Sequence, residues 1–146
     1  MILPRRPAST LSASEIAQLK DAYKAMRALD TSDPNDPREF LRQANVHCWY
    51  CGVGTQVHFT WQFFAWHRAY LYFHERILGK LIGDMNFRLP YWDWDTPSHR
   101  KLPGAYSDPN DNSNPLWNGT RSMDPTEKLP EEDVGEDVME AALTAD

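Results

Sequence analysis

A chain of 146 residues has room for one domain with a sizeable core and not for two full ones. Its 41% hydrophobic residues, with six Trp, six Tyr and six Phe, exclude a disordered chain. The net charge of −6 is carried by the C-terminal part: residues 1–106 hold 13 Lys/Arg against 10 Asp/Glu, and residues 107–146 hold 2 against 11, so no basic stripe for nucleic acid is present.

No apolar run approaches the length of a bilayer span. Met1-Ile2-Leu3-Pro4-Arg5-Arg6-Pro7 has no apolar core behind its arginines, so neither a membrane span nor a secretory signal is expected. Pro7-Ala8-Ser9 is a poor continuation of a twin-arginine export signal. Ser12-Ala13-Ser14-Glu15 predicts a capping box and a helix from there to about Leu29. Ile16, Leu19, Tyr23, Met26 and Leu29 form its apolar side. Asp36-Pro37-Arg38-Glu39 predicts a second helix, capped by Asp36, with Pro37 at its first position. Phe40, Ala44 and His47 recur at intervals of four and three, which puts His47 on the buried face of the last turn.

Gly52-Val53-Gly54 should end that helix, leaving Thr55 to His58 as loop or extended chain. Trp61 to Ile82 follows as a helix, apolar on nearly every side as far as Phe73, which predicts a helix surrounded by protein. Gly83 is its stop. Pro90 and Pro97 bracket an irregular segment, Tyr91-Trp92-Asp93-Trp94-Asp95. Residues 96–130 are expected as a surface excursion, with Asn118-Gly119-Thr120 as a turn. A final acidic helix is predicted over about Glu131 to Leu143, with Val134, Val138 and Ala141 on one side. The fold class is therefore mainly α, with long irregular loops.

Three of the five histidines and both cysteines lie between His47 and His67. His58 and His67 are nine apart, about 900° on a straight helix, so they cannot share an ion if both are helical. With His58 in the loop, His67 in the first turns of the next helix and His47 at the end of the previous one, three imidazoles can converge. Such a site suits copper, zinc, iron or nickel. Taken singly, His67 reads equally well as a core residue bonded to a backbone carbonyl. His74 stands about 10 Å further along the helix and is expected as a structural or outer neighbour. His99 is expected at the surface. Cys48 and Cys51 are too close for an unstrained disulfide, and Gly52 stands where a haem attachment motif needs histidine. A zinc site built from Cys48, Cys51, His58 and His67 remains physically open at this point.

The joint pattern resembles the type 3 copper family, in its plant-type polyphenol oxidases (catechol oxidase and tyrosinase), over the half that holds the first copper. The resemblance rests on Arg5-Arg6-Pro7, Gln43-Ala44-Asn45-Val46-His47-Cys48, Cys51, Gln56-Val57-His58-Phe59, Trp66-His67-Arg68, Tyr70-Leu71-Tyr72-Phe73, Glu75-Arg76-Ile77-Leu78 and Leu89-Pro90-Tyr91-Trp92-Asp93-Trp94. It implies half of an antiparallel helical bundle. It further implies His47, His58 and His67 as ligands of the first of two coppers, with Cys51 joined to His58 by a thioether. The implied reaction is oxidation of o-diphenols to o-quinones by dioxygen, some members also hydroxylating monophenols.

Three departures accompany it. The short Gly52–Val57 loop leans toward a bacterial relative, hence a cytoplasmic location. Cys48 lacks the upstream cysteine that the family pairs with it, so it is expected reduced. Only His74 and His99 remain for a second copper that needs three histidines, so a C-terminal second-copper segment or chain is the expected partner, beside a phenolic substrate and dioxygen. Residues 1–146 are then the first-copper part of a catalytic domain, cleaved or encoded apart from the rest, and association with further copies stays open. The competing readings are a non-catalytic copper- or oxygen-binding half-module and the structural zinc domain.

Overall fold

The computed structural model describes residues 3–53, 56–58, 60–108, 111, 113–121 and 124–144. Among them the regular structure is helical, with isolated β-bridges and no strand. Two compact units form: Gln18–Arg88, and Ile2–Ala17 together with Leu89–Asp146. No helix among the described residues is long and apolar enough to cross a membrane.

The first helix follows its capping chemistry. The Ser12 amide donates to Glu15 Oε2 at 2.8 Å, and the Glu15 amide donates back to Ser12 Oγ at 3.3 Å. Helix α1 spans Ala13–Ser32, past the expected end at Leu29, and buries Leu19, Ala22 and Met26.

Helix α2 spans Phe40–Cys48, starting later than the Asp36-Pro37 signal predicts. The Asp36 carboxylate is occupied by the Arg38 amide at 2.8 Å and the Arg38 guanidinium at 2.5 Å, which holds its pKa at about 2. It closes a turn and caps no helix. The free amides at the start of α2 go instead to Asp30, near the end of α1: Phe40 N and Leu41 N donate to its Oδ1 at 2.8 and 3.3 Å.

Helix α3 spans Phe63–Leu81. The Tyr70 hydroxyl donates to the Gln43 carbonyl at 2.8 Å, while Trp66 packs against His47, so α3 runs antiparallel to α2. Against α1, Asp84 meets Gln18 at 2.7 Å and His74 meets the Tyr23 hydroxyl at 3.2 Å, again antiparallel. Its C-terminus closes with two bonds, Asp84 N to Gly79 O at 2.8 Å and Gly83 N to Lys80 O at 3.3 Å, around Gly83 at φ 71°.

The expectation that α3 is surrounded by protein does not hold. Its buried residues are His74, Glu75, Leu78 and Gly79, all in the C-terminal half. Phe64 is 75% exposed and Phe73 62%, and Trp61, just ahead of the helix, is 86% exposed. Among the described residues, only the stripe Phe63, Trp66, His67, Tyr70 and His74, at helical spacing, finds ring partners on α1, α2 and the loop before α3.

In the second unit, Pro7 and Tyr91 form a parallel bridge, with Ala8 N donating to Tyr91 O at 2.8 Å. The 96–130 segment is more than a surface excursion. Leu116 and Asn114 are buried; Asn114 Nδ2 donates to the Ala105 carbonyl at 2.9 Å, and Arg121 donates to the carbonyls of Tyr106 and Leu116. Short helices α4 (Gly104–Ser107) and α5 (Glu131–Val134) precede α6 (Glu136–Thr144). The predicted final helix is thus split at Gly135, where an added Cβ would lie 2.7 Å from the Glu131 carbonyl oxygen.

Candidate metal centre

Three successive elements of the first unit supply the donors. His47 sits in the last turn of α2. Past Cys48 the helix widens into a π turn over Trp49–Val53, which ends at Val53, within the glycine stretch expected to stop it. Four residues after His47, Cys51 falls on the same side of this turn, its Sγ 3.5 Å from His47 Nε2. The Val57 amide then donates to the Tyr50 carbonyl at 3.0 Å, and Val57 is buried. Between them Gln56 takes φ 45°, a left-handed conformation that costs a non-glycine residue on the order of 1 kcal/mol. This tight return delivers His58. Gly54 and Thr55 of the expected loop, and Phe59 of the Val57-His58-Phe59 motif, lie outside the described residues.

His67 enters from the second turn of α3, with Nδ1 2.7 Å from the Phe63 carbonyl oxygen. A carbonyl only accepts, so Nδ1 carries the proton and Nε2 presents its lone pair. His67 is therefore both of the things the sequence allowed: bonded to a backbone carbonyl and free to ligate. Its Nε2 lies 3.3 Å from His58 Nε2 and 3.6 Å from Cys51 Sγ. The four donor atoms of His47, Cys51, His58 and His67 are all within 4.8 Å of one another.

Aromatic rings hold the imidazoles. His47 lies against Trp66 and Tyr70, with ring centroids 5.9 and 5.7 Å away, and these two rings stack on each other. Phe63 packs on His58 and His67 at 5.6 and 4.4 Å. The sequence carried this signal as Phe63, Trp66, His67 and Tyr70 at intervals of three, one and three, but apolar spacing alone reads as core. Beside His58 an open cleft of about 570 Å³ is lined by His58, Thr60, Trp61, Phe63 and Phe64.

Burial, followed by the neighbouring His67 and His58, pushes the His47 pKa down and favours its neutral, ligating form. Burial, with Cys48 beside it, pushes the Cys51 thiol up. Burial likewise raises the Tyr70 phenol, with Cys51 adding to it. Imidazole lone pairs and a sulfur gathered this closely repel unless a proton or a cation lies among them. A nitrogen and sulfur donor set of this kind fits copper.

The remaining candidates stand apart. Cys48 is exposed and belongs to no metal-binding group among the described residues; His47 takes the place that the four-ligand zinc reading gave it. His74 is buried against Tyr23 and Tyr70, as expected of an outer neighbour. His99 is no plain surface residue: its Nδ1 pairs with Asp93 Oδ2 at 2.5 Å, and its carbonyl accepts the Trp92 indole N–H at 2.7 Å. The proline-bracketed aromatic segment folds back on it.

Comparison with known proteins adds the following. The common central domain of tyrosinase matches residues 37–143. The latent form of polyphenol oxidase from Prunus armeniaca, a chloroplastic protein, is 49% identical over 119 residues, 75% of this chain and 19% of its own length. Chloroplastic (+)-larreatricin hydroxylase from Larrea tridentata is 44% identical over 128 residues, 80% of this chain and 21% of its own length. The crystal structure of Grenache (Vitis vinifera) polyphenol oxidase superposes with a TM-score of 0.76 at 33% identity, covering 99% of this chain and 51% of that one. The chain thus spans about a fifth of the length of the curated relatives it matches. The expectation of a bacterial relative in the cytoplasm is corrected: these relatives are chloroplastic plant proteins. The short loop that suggested otherwise is spanned by the Val57 to Tyr50 bond.

Proposed function

The chain belongs to the tyrosinase family, and from that premise we propose that it carries the first copper of a type 3 copper oxidase, with His47, His58 and His67 as ligands. The observation that carries this reading is the gathering of three imidazoles, from α2, the loop and α3, around one point. Cys51, in the same cluster, is the proposed thioether partner of His58. The proposed reaction is oxidation of an o-diphenol to an o-quinone by dioxygen, with o-hydroxylation of monophenols and oxidation of o-aminophenols as related activities.

Copper bound here supplies the electron transfer between phenol and dioxygen. The chain's own residues orient and shelter. Phe63 fixes the His67 tautomer through its carbonyl, and Trp66 and Tyr70 clamp the His47 ring. His58 stands on a loop, so a bond to Cys51 would stop its ring from turning. The cleft of Trp61, Phe63 and Phe64 offers apolar walls to an aromatic substrate next to His58.

A second copper needs imidazoles that this sequence does not supply. Of the five histidines, three form the cluster, His74 bonds Tyr23 and His99 bonds Asp93. We assign the remaining ligands to a further segment or chain, with residues 1–146 as the first-copper part of the catalytic domain. The exposed Trp61, Phe64, Tyr72 and Phe73 give that partner an apolar surface to cover.

The test is oxygen uptake with catechol by the copper-loaded chain combined with its second-copper segment, wild type against His58→Ala, together with intact mass of this chain. Quinone formation should vanish in the variant, and a mass two hydrogens below the sequence value marks the thioether. Undiminished quinone formation in His58→Ala would overturn the assignment.

A further inference from the structure

Cys51 is placed for more than a bond to His58. With ion–nitrogen distances of about 2.0–2.1 Å and an ion–sulfur distance of about 2.3 Å, a tetrahedral site sets two nitrogens roughly 3.3–3.4 Å apart. The same geometry sets sulfur and nitrogen roughly 3.5–3.6 Å apart. In this chain His58 Nε2 and His67 Nε2 are 3.3 Å apart, and Cys51 Sγ lies 3.5 Å from His47 Nε2 and 3.6 Å from His67 Nε2. Three edges of the donor polyhedron therefore have tetrahedral lengths, and the other three lie within 4.8 Å.

The surroundings agree with a fourth donor. Cys51 is buried at 7% exposure, whereas Cys48, three residues earlier, faces solvent. The π turn brings Cys51 beside His47, and each donor comes from a backbone position fixed by its own bonds: α2, the turn, the Val57-anchored loop and the Phe63-bonded His67. The one proton of a Cys51 thiol can serve only one of the two imidazole nitrogens beside it, whereas an ion engages every donor at once.

We propose that Cys51 binds the ion as a thiolate and closes a four-coordinate site of three histidines and one cysteine. The inference rests on the reading of His47, His58 and His67 as copper ligands and adds a state to it. Thiolate and imidazole donors in a tetrahedron favour an ion with a filled d shell, Cu(I) or Zn(II). Closed sites hold metal, whereas catalytic sites keep a position open. The four-donor form is accordingly a loading and holding state, with no place for an outside ligand. A Cys51 sulfur bonded to a His58 carbon no longer supplies a thiolate, so the thioether and the four-donor state exclude each other. Forming that bond removes one hydrogen from the thiol and one from the imidazole carbon, with dioxygen as the two-electron acceptor, and it marks exit from the holding state.

The experiment uses the protein produced in copper-depleted cells and titrated with Co(II), whose absorption reports tetrahedral geometry and sulfur ligation. One equivalent should bind with a near-ultraviolet sulfur-to-cobalt charge-transfer band. That band should survive Cys48→Ser and disappear in Cys51→Ser. X-ray absorption at the cobalt edge of the wild type, which needs no variant, should show a sulfur neighbour at about 2.3 Å beside the nitrogens. Cobalt held by nitrogen alone, a band that follows Cys48, or a metal-free chain already two hydrogens light would overturn the inference and leave the three-histidine site standing. Failure of the wild type to bind Co(II), or binding indifferent to His67→Ala, would overturn the copper-site reading as well.

Discussion

Removing the Asp30 carboxylate tests how the first helix sets the position of His47. Oδ1 of Asp30 accepts the Phe40 and Leu41 amides at 2.8 and 3.3 Å, so Asp30→Ala leaves both donors at the start of α2 without a protein acceptor. Loss of a helix cap costs about 0.5–2 kcal/mol, typically about 1. Part of this is returned, because the buried Glu39 carboxyl is held above the usual range by burial first and by Asp30 next. The expected net loss is about 1 kcal/mol, read as a lower urea midpoint with an unchanged slope. At nine residues α2 is too short to hold itself helical, so its cap bears on His47 in the last turn. If all of that loss reaches the site, metal affinity falls about fivefold. Asp30→Asn keeps an acceptor oxygen and should cost only a few tenths of a kcal/mol. A stability for Asp30→Ala within about 0.3 kcal/mol of wild type would refute this account of how α2 begins.

Glycine replacements separate close approach from open space. A Cβ at Gly79 would stand 2.5 Å from the Asp84 carbonyl oxygen and 3.3 Å from Phe87 Cβ, so Gly79→Ala should destabilise by about 1–3 kcal/mol. At Gly52 the same atom meets nothing within 4 Å, and Gly52→Ala should be neutral or stabilising by up to about 1 kcal/mol in urea melts. Equal losses at the two sites would contradict the packing described. Acid should weaken the metal-free protein through His74 and His47, whose folded pKa values lie below the ordinary imidazole value of about 6.5, chiefly through burial. Above about pH 6.5 both are neutral folded or unfolded; below it the unfolded chain takes up protons that the folded one resists, so stability falls as pH drops through the lowered values. Urea midpoints should decline from pH 7 to 5, less steeply in His74→Gln, and a flat wild-type profile would contradict the burial argument.

The convergence of His47, His58 and His67 was legible because helix geometry forbids two histidines nine apart from sharing an ion, which forces one into the loop. The start of α1 was legible because Ser12 and Glu15 are local partners. The start of α2 was not, since its cap comes from Asp30, ten residues before Phe40, through tertiary contact. Apolar composition along Trp61 to Phe73 does not say what covers a helix, and there the expected burial failed. The order around Asn114 and Leu116 was hidden for the opposite reason: polar, proline-rich sequence can still close around one buried amide. The π turn that aligns Cys51 with His47 had no signal beyond the spacing of four.

The most direct test of the central claim is copper content per chain in wild type and in His47→Ala, His58→Ala and His67→Ala, with circular dichroism to confirm that each variant keeps its helices. Each substitution is predicted to remove the copper held by the cluster while the helical signal persists. Retention of one full equivalent at this site after His67→Ala would contradict the account.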